Sequence, residues 1–298
     1  MTEHASKTEH TSKKAVVTAG TGGIGLETAL GLARQGWDVI LVARDEERGQ
    51  AAVAHVDEAA GRRAGRFVRA DLSSLAETRQ LGERLAGEGG LDLLVNNVGG
   101  MWTDRRENPE GIEASIALNH LSPYVLTEEL LDALAAAAPS RIVNVTSSAI
   151  AAAQTVFDEA EPPGPHYGLA VTGRAKLAHL AYTLELAGRL EPRGVAVLAA
   201  DPGAAATDNA AQMTVDILPP ALRPHWEQIQ QGVSAPVAAA ARGPLAAATD
   251  PALEGRTGLV VGPAGTVDDT LLAFVTPELT ESVRTWTAKL LATAGRSS

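Results

Sequence analysis

From residue 14 onward, short apolar runs alternate with alanine-rich segments whose apolar residues recur at helical spacing. The apolar runs occupy residues 15–18, 39–42, 93–96, 142–146, 195–199 and 258–261. Such runs, without strict alternation of polar and apolar residues, are typical of parallel strands that helices cover on both faces. The pattern predicts an α/β fold: a single doubly wound Rossmann domain with a central parallel sheet of about seven strands and flanking helices.

The composition fits one globular domain preceded by a tail. The chain has 298 residues, 45% hydrophobic and only 3% aromatic, so Ala, Val and Leu must build the core. Residues 1–13 contain a six-residue repeat with no large apolar side chain. We expect a disordered tail over 1–13 and one domain over 14–298. The two histidines of the repeat lie too far apart in a flexible segment to favour a metal site, and we expect none.

The charge and residue usage exclude several functions. A formal net charge of −11 repels nucleic acid and anionic membranes, so we expect neither as a partner. The chain has no cysteine, which excludes a disulfide, a thiolate metal site and a cysteine nucleophile. We see no apolar run of roughly 18 residues that could span a bilayer, and no signal peptide, and we expect a cytoplasmic protein.

A glycine-rich loop follows the first predicted strand and precedes a segment with helical apolar spacing. It reads Thr18-Ala-Gly-Thr-Gly-Gly-Ile-Gly25. Glycines let the backbone turn sharply and approach a pyrophosphate, which the free N–H groups at the start of the next helix can bind. A strand, a glycine loop and a helix in this order predict a dinucleotide site.

This loop resembles the Thr-Gly-x-x-x-Gly-x-Gly signature of the short-chain dehydrogenase/reductase family. Ala19 stands where the family has its first glycine, with Gly20 beside it, so we expect a turn that is shifted or slightly rebuilt rather than lost. Further family motifs follow in order over about residues 15–265. The resemblance implies a cofactor site formed by Gly20, Thr21, Gly23, Ile24, Gly25, Arg44, Asp71, Leu72, Asn97, Val98, Gly99, Lys176, Pro202, Gly203 and Thr207.

The second strand is followed by Arg44, without the carboxylate that NAD-preferring members place against the ribose. A guanidinium can bind the 2′-phosphate of NADP as a bidentate fork, and Arg48 lies one helical turn later as a second charge. This pattern predicts NADPH as the cofactor. Alternatively, Arg44 is a solvated residue of an Arg-Asp-Glu-Glu-Arg surface run.

The family uses an Asn, a Ser, a Tyr and a Lys for catalysis, and three of these have counterparts here. The resemblance assigns these roles to Asn119, Ser147 and Lys176, and the segment after Lys176 resembles that of retinol-dehydrogenase-like members. The tyrosine belongs four residues before the lysine, on the same helix face. This chain has Thr172 there.

A threonine hydroxyl is too weak an acid to replace a phenol in proton transfer. Tyr167, five residues earlier, could supply the proton or act as a packing aromatic. Three functions stay open: a reductase whose proton comes from water or a substrate hydroxyl, a nucleotide-binding protein with a scaffold or regulatory role, and a reductase of an activated C=C bond. Retention of Asn119, Ser147 and Lys176 favours the first.

The segment 208–232 corresponds to the substrate lid of the family, and we expect Met213 and Trp226 of this segment to contact the substrate together with Trp102, Phe157 and Tyr167. These side chains favour a flat apolar guest. In lacking this tyrosine, the chain resembles the atypical actinomycete ketoreductases that act on aromatic polyketides, angucyclinones especially. That resemblance implies reduction of a polycyclic aromatic ketone in antibiotic biosynthesis. We also expect a homo-oligomer, as is common in the family.

Overall fold

The computed structural model describes residues 12–162, 164–233 and 235–295, and its central element is a seven-stranded parallel sheet. The strands are β1 (Lys14–Thr18), β2 (Asp38–Ala43), β3 (Gly65–Arg69), β4 (Leu93–Asn96), β5 (Ser140–Val145), β6 (Val195–Ala200) and β7 (Leu259–Val261). Their order across the sheet is β3-β2-β1-β4-β5-β6-β7. The predicted doubly wound parallel sheet is confirmed.

Helices cover both faces of this sheet. The α-helices are α1 (Gly23–Arg34), α2 (Glu46–Ala60), α3 (Leu75–Ala86), α4 (Ala114–Ile116), α5 (Ser122–Ala136), α6 (Gly168–Leu190), α7 (Asp208–Ala211), α8 (Trp226–Gly232), α9 (Val237–Ala240), α10 (Arg242–Thr249) and α11 (Pro277–Ala294). A π-helical turn, Ala117–Leu121, joins α4 to α5. None of the helices within the described ranges is long and apolar enough to cross a membrane.

The strands are apolar throughout because both faces of the sheet are buried. Val16 and Val17 of β1 have no exposed surface and pack into core clusters on opposite faces. In the parallel register Val16 is aligned with Ile40 of β2 and Leu94 of β4, and all three belong to the same cluster. A continuous apolar run therefore serves two cores at once.

Polar caps set the ends of several helices. Asp45 and Ser74 accept backbone N–H groups at the starts of α2 and α3, and Thr276 does so for α11. Gly61 ends α2 in the left-handed conformation, with φ of 63°. These local signals set where α2, α3 and α11 begin and where α2 ends.

The boundary predicted for the N-terminal tail needs a correction. The carbonyl oxygen of Lys13 accepts a hydrogen bond from the Asp38 N–H, and the Ser12 hydroxyl donates to the Asp38 carboxylate. Residues 12 and 13 are therefore bound to the sheet at the amino-terminal end of β1, because the backbone hydrogen bonding with β2 begins at Lys13. The remainder of the predicted tail, residues 1–11, lies outside the described residues.

The predicted lid segment 208–232 is attached at its base and in its middle. The Ala206 N–H donates to the Ala235 carbonyl at 3.0 Å, which brings the two ends of the segment together. Ile217 and Leu218 are buried, whereas most of α7 and α8 is exposed. The sheet order reverses between β1 and β4, so ligands are expected at the carboxyl ends of these two strands, beside this segment.

Candidate active site

The glycine loop runs from the end of β1 to the start of α1 in a conformation that side chains would prevent. A Cβ on Gly25 would lie 2.4 Å from the Ala19 carbonyl oxygen and 2.5 Å from Asn97 Nδ2, and one on Gly20 would lie 2.9 Å from a Leu41 methyl. Ala19 itself adopts a left-handed φ of 50°, which normally favours glycine. Of the two expected alternatives, the turn is therefore rebuilt at Ala19, in a strained left-handed conformation, and is not shifted to Gly20. The adjoining Thr21 is partly exposed in the loop.

Thr18, the last residue of β1, joins the loop to the end of β4. Its Oγ1 accepts hydrogen bonds from the backbone N–H groups of Asn97 at 2.9 Å and Val98 at 3.0 Å. The Asn97 side chain donates to the Thr18 carbonyl at 3.0 Å. These bonds fix the Asn97-Val98-Gly99 segment beside the glycine loop, so two of the family's motifs form one surface. The sequence analysis did not assign this role to Thr18, although its position directly before the loop could have suggested it.

The start of α1 is suited to bind an anion. Gly22 precedes the helix without a side-chain cap, and the first turn of α1 contains no acidic residue. Free N–H groups and the helix dipole therefore point at the loop surface. The Thr207 methyl lies 3.7 Å from the Cβ position of Gly23, which places Thr207 against the loop. A pyrophosphate fits this cradle, because the glycines of the loop have no side chains that would occupy the space or push the backbone segments apart.

Arginines surround the carboxyl end of β2. Arg44 is exposed, and its carbonyl accepts a bond from Arg69 Nε at 3.1 Å. Arg48 Nη2 lies 2.8 Å from the Cβ position of Gly22 and 3.4 Å from an oxygen of Asp208 at the start of α7. Arg69 was not among the residues predicted for the cofactor site. The parallel register pairs it with Ala43 and so brings it to the end of β2.

The carboxylate that directly follows Arg44 in the sequence is already engaged. Asp45 Oδ1 accepts the Arg48 backbone N–H at 2.9 Å as the N-cap of α2. Asp71, two residues after β3, accepts both the N–H and the hydroxyl of Ser73. Its neighbour Leu72 is buried in the core. Among the described residues, the guanidinium groups of Arg44 and Arg69 are therefore not paired with a carboxylate at the carboxyl end of β2.

Lys176 and Asn119 meet at Gly99. A Cβ on Gly99 would lie 2.7 Å from Asn119 Oδ1 and 3.5 Å from Lys176 Nζ. Asn119 lies in the π-helical turn, and its side-chain amide donates to the carbonyls of Gly100 at 2.8 Å and Ser115 at 2.9 Å. Such turns interrupt regular helix bonding and are frequent at functional sites.

Lys176 is buried, and its Nζ donates to the Val145 carbonyl at 2.7 Å, at the end of β5. Burial lowers the pKa of Lys176 to about 8, because desolvation disfavours the ammonium form. The lysine is thus held between the end of β5 and the segment after β4. The resemblance had indicated Lys176, but its backbone acceptor has no sequence signal.

Ser147 follows β5 by two residues and precedes the helical turn Ser148–Ala152, on which α6 with Thr172 packs. Ser147 Oγ accepts the Ala149 N–H at 3.1 Å, which leaves its proton free to donate to a carbonyl. A Cβ on Gly173 would lie 2.2 Å from the Ala149 carbonyl, so α6 packs directly on the turn after Ser147. Thr172 lies one helical turn before Lys176, is 5% exposed, and its Oγ1 has no partner among the described residues.

The expected substrate-contacting residues do not all lie at the cleft. The Trp102 indole folds back over Gly100, and its carbonyl is close to Gly168 at the start of α6, next to Tyr167. Tyr167, Met213 and Trp226 are partly exposed. The adjacent helix α7 contributes Asn209, which donates to the Met101 carbonyl at 3.2 Å and links the lid segment to the Trp102 loop.

Phe157 requires a correction. Its ring is 4% exposed and packs against Trp286 of α11, with the ring centroids 5.1 Å apart, and against the guanidinium of Arg174. Both neighbours cover the ring, so Phe157 belongs to the core and not to a substrate wall. Its place in a polar, proline-rich segment gave no sign of this partner, because Trp286 is far away in the sequence.

The parallel sheet, the glycine cradle at its switch point and the Lys176 and Asn119 pair define a Rossmann-type dinucleotide-binding protein. A family model described as short chain dehydrogenase matches residues 13–217. The chain belongs to the short-chain dehydrogenase family, as predicted.

Individual relatives show the same kinship. Retinol dehydrogenase 13 of Homo sapiens is 38% identical over 208 residues, which cover 68% of this chain and 62% of that protein. Dehydrogenase/reductase SDR family member 13 of Homo sapiens is 37% identical, over 71% of this chain and 56% of the relative. The chain thus spans about 60% of the length of these relatives.

The structure is also similar to a short chain dehydrogenase from Burkholderia cenocepacia in complex with NADP. That structure has a TM-score of 0.64 and 27% sequence identity, and the match covers 85% of this chain and 97% of the other.

Proposed function

We propose that the protein is an NADPH-dependent reductase of a ketone, and that the substrate is a polycyclic aromatic ketone carrying a hydroxyl near the carbonyl. The observation that carries the proposal is the meeting of Lys176 and Asn119 at Gly99, beside the glycine cradle. Binding of a dinucleotide alone does not require a buried lysine at this position. Burial of an ammonium group is costly and is typical of functional sites.

The cofactor is proposed from the charges at the end of β2. Arg44 and Arg69 make no ion pair with any described residue, and Asp45 is engaged as a helix cap. A 2′-phosphate would find two guanidinium groups and no free carboxylate there. When bound, NADPH would supply the hydride that is added to the carbonyl carbon.

The protein residues would bind and orient the reactants. The Ser147 hydroxyl would donate to the ketone oxygen, and Lys176 would hold the ribose from its position beside Gly99. The alkoxide formed by hydride addition needs one proton, and the Thr172 hydroxyl is too weakly acidic to provide it near neutral pH. A phenol of the substrate or a water molecule would therefore supply the proton, and the products would be the alcohol and NADP.

The test compares matched substrates in the presence of NADPH. We expect consumption of NADPH with a hydroxylated polycyclic aromatic ketone, and about a hundredfold slower turnover with its O-methyl ether, because the ether has no proton to donate. Equal rates would contradict substrate-assisted protonation. Reduction of an enone at its C=C bond, with the carbonyl retained in the product, would indicate the C=C reductase instead.

One observation favours a second function, that of a catalytically silent NADP-binding protein. Thr172 occupies the position of the family's acid, and its hydroxyl contacts no other described polar group. Tight NADPH binding without turnover on a panel of aromatic ketones and enones would support this function.

A further inference from the structure

The segment between Ser147 and α6 contains a strap, which we define as residues 154–162. It follows the helical turn Ser148–Ala152 and leads toward the start of α6. Phe157 of the strap points inward, whereas the neighbouring Val156 is 62% exposed. The strap has no regular secondary structure, so its position depends on contacts with other elements.

A single buried side chain supplies most of these contacts. The guanidinium of Arg174, on α6, donates to three carbonyl groups of the strap. Its Nη2 lies 2.8 Å from the Val156 oxygen and 2.9 Å from the Glu159 oxygen, and its Nη1 lies 3.1 Å from the Ala160 oxygen. Five N–H donors in a rigid fork allow one arginine to bind several carbonyls at once.

Two aromatic rings enclose the same guanidinium. Its central carbon lies 4.7 Å from the ring centroid of Phe157 and 4.8 Å from that of Trp286. The Trp286 indole N–H donates to the Glu159 carbonyl at 2.9 Å. The strap is therefore held from two sides, by Arg174 of α6 and by Trp286 of α11.

Arg174 is 1% exposed and forms no ion pair with any described carboxylate. Asp158 and Glu161 act on it only at longer range, and burial lowers its pKa. Burial of a charge that is compensated only by carbonyls and ring faces costs desolvation free energy, and apolar packing of a loop is usually at least as stabilising. The directional bonds of Arg174 define one position of the strap, which apolar packing would not.

The strap connects to both walls of the candidate site. On α6, Arg174 lies two residues from Thr172 and two from Lys176, and Gly173 packs on the turn that follows Ser147. At the other end of the strap, Glu161 accepts Arg105 Nε at 2.9 Å, and Arg105 belongs to the loop that carries Trp102. Displacement of the strap would therefore alter the distance between the Ser147 side and the Trp102 side of the cleft.

We propose that Arg174 is a positioning residue that fixes the strap 154–162 and so sets the width of the ketone-binding cleft. This role rests on the proposed reductase function. It predicts that loss of the fork weakens ketone binding, whereas the dinucleotide cradle, built from β1, α1 and β4, keeps its affinity.

Two variants test this role without removing the whole cluster. Arg174→Lys keeps the charge but loses the fork, and Trp286→Phe keeps a ring face but loses the N–H that binds Glu159. We expect both to raise the KM for the ketone about tenfold, to change kcat less, and to leave the Kd for NADPH within about twofold. Arg284→Lys is the matched control, because Arg284 lies on the exposed face of α11 and, among the described residues, forms its ion pair with Glu281.

Hydrogen exchange of the strap provides a readout that does not depend on turnover. We expect the backbone amides of residues 154–161 to exchange about tenfold faster in Arg174→Lys and Trp286→Phe, and those of α1 to be unaffected. Unchanged exchange in the strap would overturn the proposal. Faster exchange with an unchanged KM would also overturn it. A wild-type protein that binds NADPH and reduces no ketone would contradict the proposed function, and strap exchange would then still decide whether Arg174 fixes the strap.

Discussion

Lys176 Nζ donates to the carbonyl oxygen of Val145 at 2.7 Å, so the middle of α6 is bound to the carboxyl end of β5. No carboxylate accompanies this buried amine among its described hydrogen-bond partners. Burial lowers the pKa of this lysine to about 8, and under the proposed function its ammonium group would donate to a ribose hydroxyl beside Gly99.

This relationship predicts a pH dependence of cofactor binding. The protonated amine is the stronger donor, and it loses its proton as the pH rises through about 8. We expect the Kd for NADPH to increase by about tenfold between pH 7 and pH 9, measured by fluorescence titration. In Lys176→Met the affinity should be lower at pH 7 and flat over this range. A wild-type affinity that does not change with pH would show that the ammonium form does not bind the cofactor.

The arginine group at the end of β2 predicts selectivity for the phosphorylated cofactor. Arg44→Ala and Arg69→Ala should each raise the Kd for NADPH by about one to two orders of magnitude, or about 1.4 to 3 kcal/mol, with little change for NADH. Arg66→Ala is the matched control, because Arg66 lies on the same strand β3 and is paired with Glu88. Equal losses for both cofactors would mean that these arginines do not contact the 2′-phosphate.

Thr172 is predicted to be dispensable for proton transfer. Thr172→Ala should retain activity within about tenfold, because at most one neutral hydrogen bond of about 0.5 to 1.5 kcal/mol is removed. Thr172→Tyr should give no gain, since a phenol placed in this buried position would occupy space needed by the substrate. A loss of about a thousandfold in Thr172→Ala, with NADPH affinity intact, would make Thr172 a catalytic residue.

The same threonine gives a prediction about stability. Thr172→Val replaces an unpartnered buried hydroxyl by a methyl group and should leave the free energy of unfolding unchanged or raise it by up to about 1 kcal/mol. Thr183→Val on the same helix is the control: its Oγ1 donates to His179 and accepts from Asn144, so this change should destabilise by about 1 to 3 kcal/mol. Urea unfolding measures both, and a similar loss in the two variants would contradict the difference.

Two buried histidines predict a loss of stability in mild acid. Burial lowers the pKa of His120 to about 3, and burial together with the charges of His120 and Lys176 lowers that of His179 well below 6.5. The unfolded chain binds these protons near pH 6.5, whereas the folded chain does not. Stability is therefore fully present above pH 6.5 and falls below it, by up to about 1.4 kcal/mol per pH unit for each histidine.

Variants separate this effect from the titration of carboxylates. His179→Leu removes two unpartnered ring nitrogens and should reduce the slope of unfolding free energy against pH by about one proton between pH 6 and pH 4. His55→Gln, at an exposed position of α2, should leave the slope unchanged. Identical slopes in wild type and His179→Leu would show that His179 is protonated in the folded protein.

The sequence alone determined the fold class and the position of the cofactor site. Apolar runs such as 15–18 and 93–96, alternating with segments of helical spacing, are typical of a parallel sheet buried on both faces, and the glycine loop directly after the first run predicts a dinucleotide site at the carboxyl end of that strand. The departure at Thr172 was equally visible, because the spacing of four residues to Lys176 places both side chains on one face of a helix. These features depend on local spacing, which the chain displays directly.

Tertiary structure alone decided how the site is supported. The carbonyl of Val145 accepts the hydrogen bond from Lys176, which no sequence pattern predicts. Phe157, predicted to line the substrate site, lies in the core because α6 and α11 bring Arg174 and Trp286 against the strap. Trp286 lies 129 residues after Phe157 in the numbering, and no periodicity of the sequence pairs residues across such a distance. Contacts of this kind form only when helices pack, and the sequence pattern records which face of a helix is buried but not which residue will cover it.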